Sequence, residues 1–216
     1  EMKIDMAGAA AVAETILALA RLNIPVKPIA LIPATDNRPD GNAYVPGDVI
    51  KYQDGTTVEV LNCDAEGRLI LADALLYAKR YQPGLVIDLA TLTGAAQVAL
   101  GPLATAVMGT APQELFRKLD EAGFQTMERV VQFPLWADYG KMLESEIADL
   151  KNIGGRLAGA ITAGKFLEYF TSYPWIHMDI LQFRPIARSW ERFLSLQIAS
   201  TSFLPFLVLS NSQIPF

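Results

Sequence analysis

The chain has 216 residues and a formal net charge of −5 at pH 7, and its length is sufficient for one sizeable domain with its own core. The acidic balance argues against nucleic acid as a main partner, because phosphate binding requires a basic face. The apolar runs are too short to span a bilayer, so we expect no membrane partner. No signal peptide opens the chain, and we expect a cytoplasmic location.

The cysteine and histidine counts restrict the chemistry. The single cysteine, Cys63, excludes an internal disulfide bond and fits a reducing compartment. The single histidine, His177, excludes zinc sites that use two or three histidines. We interpret His177 as a hydrogen-bonded core residue, with metal ligation as the alternative.

Residues 1–61 predict one helix and several strands. The alanine-rich stretch 6–21 predicts a helix buried on most sides, which Pro25 ends. Asp5 precedes this helix, either as its N-cap or as a metal ligand at its N-terminus. Strands are predicted at 26–32, 49–52 and 56–61, with a loop at 33–42.

Residues 69–180 alternate between helices and strands. Helices are predicted at 69–81, 112–123 and 157–170, and strands at 85–90, 105–108 and 175–180. The order strand, loop, helix, strand across 56–90 is that of a βαβ unit, which predicts an α/β fold: a mixed, largely parallel sheet with helices on both faces. Ligands bind beyond the carboxyl ends of such strands, where residues 64–68 and 91–94 would meet.

The segment Asn62-Cys63-Asp64-Ala65-Glu66-Gly67-Arg68 carries two acids and an arginine at alternate positions. In an extended backbone these three side chains would share one face. Close carboxylates repel each other unless a cation lies between them, and a metal ion accepts several oxygens at once. The pattern predicts a metal site, and a surface turn with an Asp–Arg pair is the alternative.

The same segment resembles the signature of the leucyl (cytosol) aminopeptidases, the M17 family of two-metal peptidases, which usually has threonine at the position of Cys63. Further segments are similar to motifs of this family, in the same order, at 2–12, 46–49, 91–95, 154–163 and 175–179. The resemblance covers roughly residues 1–180 and implies the three-layer sandwich of zinc peptidases.

The resemblance implies a set of metal ligands. Asp5, Asp64 and Glu66 would bind two divalent ions, Mn²⁺ or Zn²⁺ with Mg²⁺ as a further option, and Glu66 would bridge them. Arg68 would be the catalytic residue, because it would hold a bicarbonate ion that acts as general base.

The resemblance also implies the substrate pocket. The first side chain of the substrate would lie against Met2, Thr91, Gly94 and Ala158, and Leu92 would offer its backbone carbonyl to substrate or water. Small and apolar lining suits an apolar side chain such as leucine.

The implied function is a metal-dependent leucyl aminopeptidase that removes N-terminal amino acids from peptides with a free N-terminus, as a homo-hexamer in the full-length protein. The family pattern also has a segment before the Asp5 motif with two further metal ligands and a catalytic lysine, and it is not matched after Ile180. We therefore expect residues 1–180 to form a partial catalytic domain with weak or absent activity, followed by a divergent tail at 181–216. The alternatives are a catalytically inactive fragment or scaffold and, less favoured, a nucleic-acid-binding protein.

Overall fold

A computed structural model of the chain describes residues 2–180, 202–203 and 206–210. The α-helices of this part are α1 (Ala7–Arg21), α2 (Gly67–Ala78), α3 (Gly94–Leu100), α4 (Gln113–Thr126) and α5 (Gly159–Glu168). Short 3₁₀ helices lie at Met2–Met6, Lys79–Tyr81, Gly101–Leu103 and Ala137–Leu143. Within the described residues, no helix combines the length and the apolar character that crossing a membrane would require.

The strands of the described part form three sheets. The largest has the order β1 (Pro28–Leu31), β11 (Phe206–Ser210), β5 (Pro83–Ala90), β9 (Trp175–Asp179), β6 (Thr105–Gly109) and β7 (Val130–Gln132). A second has the order β3 (Val49–Lys51), β4 (Thr57–Glu59) and β8 (Leu150–Lys151), and a third pairs β2 (Ala34–Thr35) with β10 (Ser202–Phe203).

The largest sheet is mixed, as predicted, but it is less parallel than predicted. The strand β5 runs parallel to β9, and β6 runs parallel to β7. In contrast, β11 runs antiparallel to both β1 and β5, and β6 runs antiparallel to β9. Parallel pairs are therefore a minority of the pairs described in this sheet.

The predicted βαβ unit across residues 56–90 is wrong. The strands before and after α2, β4 and β5, lie in different sheets, so α2 connects two sheets instead of crossing over one. The partners of β4 are β3 and β8, and β8 follows it by about ninety residues in the sequence. The local alternation of strand and helix carried no information about this distant partner.

Helices cover both faces of the six-stranded sheet, as predicted. Trp175 on β9 points into a core with α2 and with Phe166 of α5. The next residue, Ile176, points into the opposite core, where Phe116 of α4 is buried. Successive residues of a strand point to opposite faces, so one strand separates two hydrophobic layers and the fold has the expected three layers.

The start of the chain differs from one of the two interpretations of Asp5. The N-cap of α1 is Met6, which makes no capping hydrogen bond with its side chain, and Asp5 belongs to the preceding 3₁₀ helix. The N-cap interpretation of Asp5 is therefore wrong, and the Asp5 carboxylate does not cap α1.

The sequence predicted no structure for the segment 181–216. Two stretches of it are described, as β10 and β11, and the rest lies outside the described residues. The prediction that this segment is a divergent tail is untested by the fold.

Candidate metal and peptide site

The segment 62–68 is a turn that leads into a helix. Residues 63 and 64 form the turn, Glu66 has helical backbone angles (φ −75°, ψ −32°), and α2 begins at Gly67. The side-chain Oδ1 of Asn62 accepts a hydrogen bond from the backbone N–H of Asp64 at 2.9 Å, and this contact closes the turn. The prediction of one extended face for Asp64, Glu66 and Arg68 is therefore wrong.

Asp5 lies next to Thr91, a residue predicted to line the substrate pocket. The Thr91 hydroxyl donates a hydrogen bond to Oδ1 of Asp5 at 2.5 Å and lies 3.3 Å from the Asp5 carbonyl oxygen. Burial raises the pKa of the Asp5 carboxyl, and the Thr91 hydrogen bond lowers it in part. The structure thus brings together two predicted site residues from opposite ends of a long stretch of sequence.

Glu66 connects this pair to the turn at 62–68. Burial raises the pKa of the Glu66 carboxyl, and the negative charges of Asp5 and Asp64 raise it further, while Arg68 opposes them. Asp5, Asp64 and Arg68 thus act on the Glu66 carboxyl through their charges, and we call these four residues the electrostatic cluster. The cluster lies beyond the carboxyl ends of β5 and β9, since Thr91 directly follows β5.

Asn37 is a neighbour of Glu66 that no sequence motif indicated. The side-chain Nδ2 of Asn37 donates a hydrogen bond to Oε1 of Glu66 at 3.1 Å. Asn37 lies in the polar loop predicted at 33–42, and turn chemistry alone does not show which distant side chain such a residue reaches.

The donor chemistry of the cluster fits a divalent cation, but its side chains are not arranged around a common point. Carboxylate oxygens are the ligands that Mn²⁺ and Mg²⁺ prefer, and a cation would relieve the repulsion between Asp5 and Glu66. Within the residues described, however, no three Asp, Glu, His or Cys side chains are arranged so that they could hold a metal ion.

Arg68 is buried in the first turn of α2. Its Nη1 donates a hydrogen bond to the backbone carbonyl of Asn152 at 2.9 Å, whereas its buried Nε has no partner among the described residues. Burial lowers the pKa of the guanidinium to about 10, against the opposing effects of Asp179 and Glu66. A buried guanidinium with an unused N–H fits a small planar anion.

Asp179 at the end of β9 holds the predicted substrate loop. Its Oδ1 accepts hydrogen bonds from the backbone N–H groups of Leu92 and Thr93, both at 3.1 Å, and its Oδ2 accepts one from the Thr93 hydroxyl at 2.6 Å. Thr93 also caps α3, because its hydroxyl accepts from the N–H of Ala96. No role for Asp179 was predicted from the sequence.

The remaining predicted pocket residues lie at two helix starts. Gly94 is the first residue of α3, and Ala158 is the N-cap of α5 with a left-handed backbone (φ 52°, ψ 34°). A Cβ placed on Gly159 would lie 3.0 Å from the Cβ of Ala95, so the two helix starts are in close contact. The side chain of Met2 lies outside the described part of the chain.

His177 is a hydrogen-bonded core residue, as interpreted from the sequence. Its Nδ1 lies 2.6 Å from Oδ1 of the buried Asp88, whose Oδ2 accepts a hydrogen bond from the Trp175 indole at 2.6 Å. Burial lowers the pKa of His177, but the Asp88 carboxylate raises it by more, so the pKa lies above the ordinary value of 6.5.

Fold and site together define a class: a three-layer α/β protein with an acidic cluster and a buried arginine beyond the strand ends. The chain belongs to the cytosol aminopeptidase family, whose catalytic-domain model matches residues 1–193. It is 56% identical over 181 residues to a probable cytosol aminopeptidase of Syntrophotalea carbinolica, and 53% identical over 180 residues to one of Geobacter sulfurreducens. Each alignment covers 83% of this chain and 36% of the relative, so the chain spans little more than a third of these relatives.

Solved structures agree with this assignment. The bottromycin maturation enzyme BotP in complex with Mn is 39% identical, with a TM-score of 0.74 over 82% of this chain and 40% of that chain. A mutant of tomato leucine aminopeptidase is 40% identical, with a TM-score of 0.64 over 66% of this chain and 29% of that chain. The predicted family and fold class are therefore confirmed.

Proposed function

We propose that this chain is the catalytic part of a metal-dependent leucyl aminopeptidase, which removes the first residue of peptides with a free N-terminus. The observation that carries the proposal is the contact of the Asp5 carboxylate with the Thr91 hydroxyl directly beyond the carboxyl end of β5. The charges of Asp5, Asp64 and Arg68 also act on the Glu66 carboxyl. Membership of the cytosol aminopeptidase family and the Mn complex of a similar structure support it.

In this proposal, Asp5, Asp64 and Glu66 hold two divalent ions, Mn²⁺ or Zn²⁺ with Mg²⁺ as a further option. Such a pair, when bound, polarises the peptide carbonyl and activates water as a nucleophile at neutral pH. Thr91 fixes the Asp5 carboxylate through its hydroxyl. Arg68 would hold a bicarbonate ion through its Nε, which has no partner among the described residues, and such an anion would supply a general base.

The substrate lies along the 91–94 loop. The Leu92 carbonyl accepts a hydrogen bond from the substrate, and Asp179 supports it by holding the N–H groups of Leu92 and Thr93. Thr91, Gly94, Ala158 and Met2 surround the first side chain, and their small or apolar character favours leucine. We extend the proposal to a homo-hexamer and a cytoplasmic location for the full-length protein, on the family resemblance alone.

Calorimetry with Mn²⁺ tests the metal site on the purified chain. We expect saturable binding that the substitution Glu66→Gln weakens by about tenfold or more, because it removes a charged oxygen ligand. Glu168→Gln is the matched control, since Glu168 pairs with Lys165 on α5. Equal Mn²⁺ affinity in all three proteins would contradict the metal role of Glu66, and hydrolysis of leucine-p-nitroanilide in the same samples reports on the peptidase role.

The alternative is a catalytically inactive scaffold that retains the fold. One observation favours it: in the described part of the chain, no three acidic, histidine or cysteine side chains form a group that could hold a metal ion. A chain that folds, binds no Mn²⁺ saturably and hydrolyses no leucine-p-nitroanilide would support this alternative.

A further inference from the structure

Asn152 is a fully buried polar residue that lies directly after β8. Its side-chain Oδ1 accepts hydrogen bonds from the backbone N–H groups of Leu61 at 2.8 Å and Asn62 at 3.3 Å. Its Nδ2 donates to the backbone carbonyls of Asn62 at 2.7 Å and Ala65 at 3.4 Å. One amide therefore binds both ends of the turn that carries Asp64 and leads to Glu66.

The backbone of Asn152 makes two further contacts with the same region. Its N–H donates to the carbonyl of Glu59, the last residue of β4, at 2.9 Å. Its carbonyl accepts the hydrogen bond from Nη1 of Arg68 at 2.9 Å. The residue thus contacts the strand before the turn, the turn itself and the first helical turn after it.

The chemistry of these contacts requires an amide. Only Asn and Gln carry an acceptor oxygen and a two-hydrogen donor nitrogen at the end of one uncharged side chain. An aspartate keeps the acceptor and loses the donors, whereas an alanine loses both and leaves buried backbone groups unpaired, which is costly.

We propose that Asn152 is a positioning residue: it fixes the shape of the 61–65 turn and the direction of the Arg68 side chain, and so sets where Asp64, Glu66 and Arg68 meet. The inference rests on the proposed function for the roles of those three residues. The shape of the turn itself is a separate property, and it can be measured without metal or substrate.

Hydrogen exchange of single backbone amides, followed by NMR on the whole chain, tests the inference. We expect Asn152→Ala to speed exchange at Leu61, Asn62 and Ala65 by about tenfold or more relative to the amides of β5. In the isosteric Asn152→Asp we expect slow exchange to persist at Leu61, where the acceptor remains. The Ala65 amide, which donates to the carbonyl of Asn62 at 3.2 Å, should exchange about tenfold faster there, because the Asn152 donors that hold the Asn62 and Ala65 carbonyls are lost.

A core substitution of a different kind is the control. Val107→Ala removes buried volume in the opposite core and leaves the contacts of Asn152 intact. It should leave the ratio of exchange rates between Ala65 and β5 unchanged. If Asn152→Ala fails to fold, the difference between the exchange rates of the Leu61 and Ala65 amides in Asn152→Asp decides the test. Unchanged Ala65 exchange in Asn152→Asp, or the same local change in Val107→Ala, would overturn the inference.

Mn²⁺ affinity, measured by calorimetry on the same variants, connects the turn to the proposed function. We expect the affinity to fall by about tenfold or more in Asn152→Ala, as is typical when a residue that orients a ligand is removed. If the unsubstituted chain shows no saturable binding, the proposed function fails while the exchange result still judges Asn152. If that chain binds Mn²⁺ and Asn152→Ala binds it equally well, the positioning role is wrong.

Discussion

Asp88 is a fully buried carboxylate whose two oxygens contact the Trp175 indole N–H and Nδ1 of the His177 imidazole. Burying a charge is expensive unless it is paired and hydrogen-bonded, and here both carboxylate oxygens are used. The same pairing raises the pKa of His177 above 6.5 although burial alone would lower it. This residue-scale balance has a consequence for stability.

We predict that part of the free energy of unfolding depends on pH through His177. Because the folded pKa lies above the unfolded value, the stabilisation is fully present below about pH 6.5 and is lost as pH rises through the raised pKa. The loss amounts to about 1.4 kcal/mol for each pH unit between the two pKa values. Urea unfolding from pH 6 to pH 9 should show this fall, and His177→Gln should abolish it.

The control for this experiment is Trp175→Phe, which removes the indole donor and keeps the Asp88–His177 pair. It should lower stability at every pH and retain the pH dependence. A pH profile of His177→Gln that matches that of the unsubstituted chain would show that another group is responsible.

At the scale of elements, the close approach of β6 and β9 depends on a glycine. A Cβ placed on Gly109 would lie 2.0 Å from the backbone carbonyl oxygen of Trp175, and backbone cannot move aside as a flexible side chain can. We predict that Gly109→Ala lowers the free energy of unfolding by about 1–3 kcal/mol or more. Gly41→Ala is the control, because nothing lies within 4 Å of that Cβ; equal urea midpoints for the two variants would contradict the prediction.

Local patterns predicted the elements better than their pairing. The helix predicted at 6–21 is α1 at Ala7–Arg21, and the strand predicted at 105–108 is β6 at Thr105–Gly109. The partner of β4 was not predictable, since β8 is only two residues long and lies far along the chain. The period-two argument for Asp64, Glu66 and Arg68 failed because the Asn62 side chain closes a turn where extended backbone was assumed.

At the scale of the whole molecule, the cluster gathers residues from distant parts of the chain. The motifs identified Asp5, Glu66 and Thr91 by their resemblance to a family, and the structure places them together. They did not identify Asn152 or Asn37, because a single asparagine has no spacing that shows which backbone or carboxylate it reaches. Only the folded chain reveals such contacts.

The strand β11 lies between β1 and β5 in the main sheet, where it pairs with both. Val208 stands opposite Ile29 on one side and Val86 on the other. We predict that Val208→Pro lowers the free energy of unfolding by about 2 kcal/mol or more relative to Val208→Ala, because proline removes a backbone donor from a central strand. Urea unfolding measures this difference, and equal stability of the two variants would mean that β11 contributes little to the sheet.

The position of β11 also bears on synthesis. The ribosome synthesises β1 and β5 long before it synthesises residues 206–210. At about 5–20 residues per second, several seconds separate the synthesis of β5 from that of β11. During that interval the edges of β1 and β5 that later pair with β11 have no hydrogen-bonding partner. Such unpaired strand edges can pair with other chains. A chaperone that shields nascent chains would therefore be needed most between the emergence of β5 and that of β11.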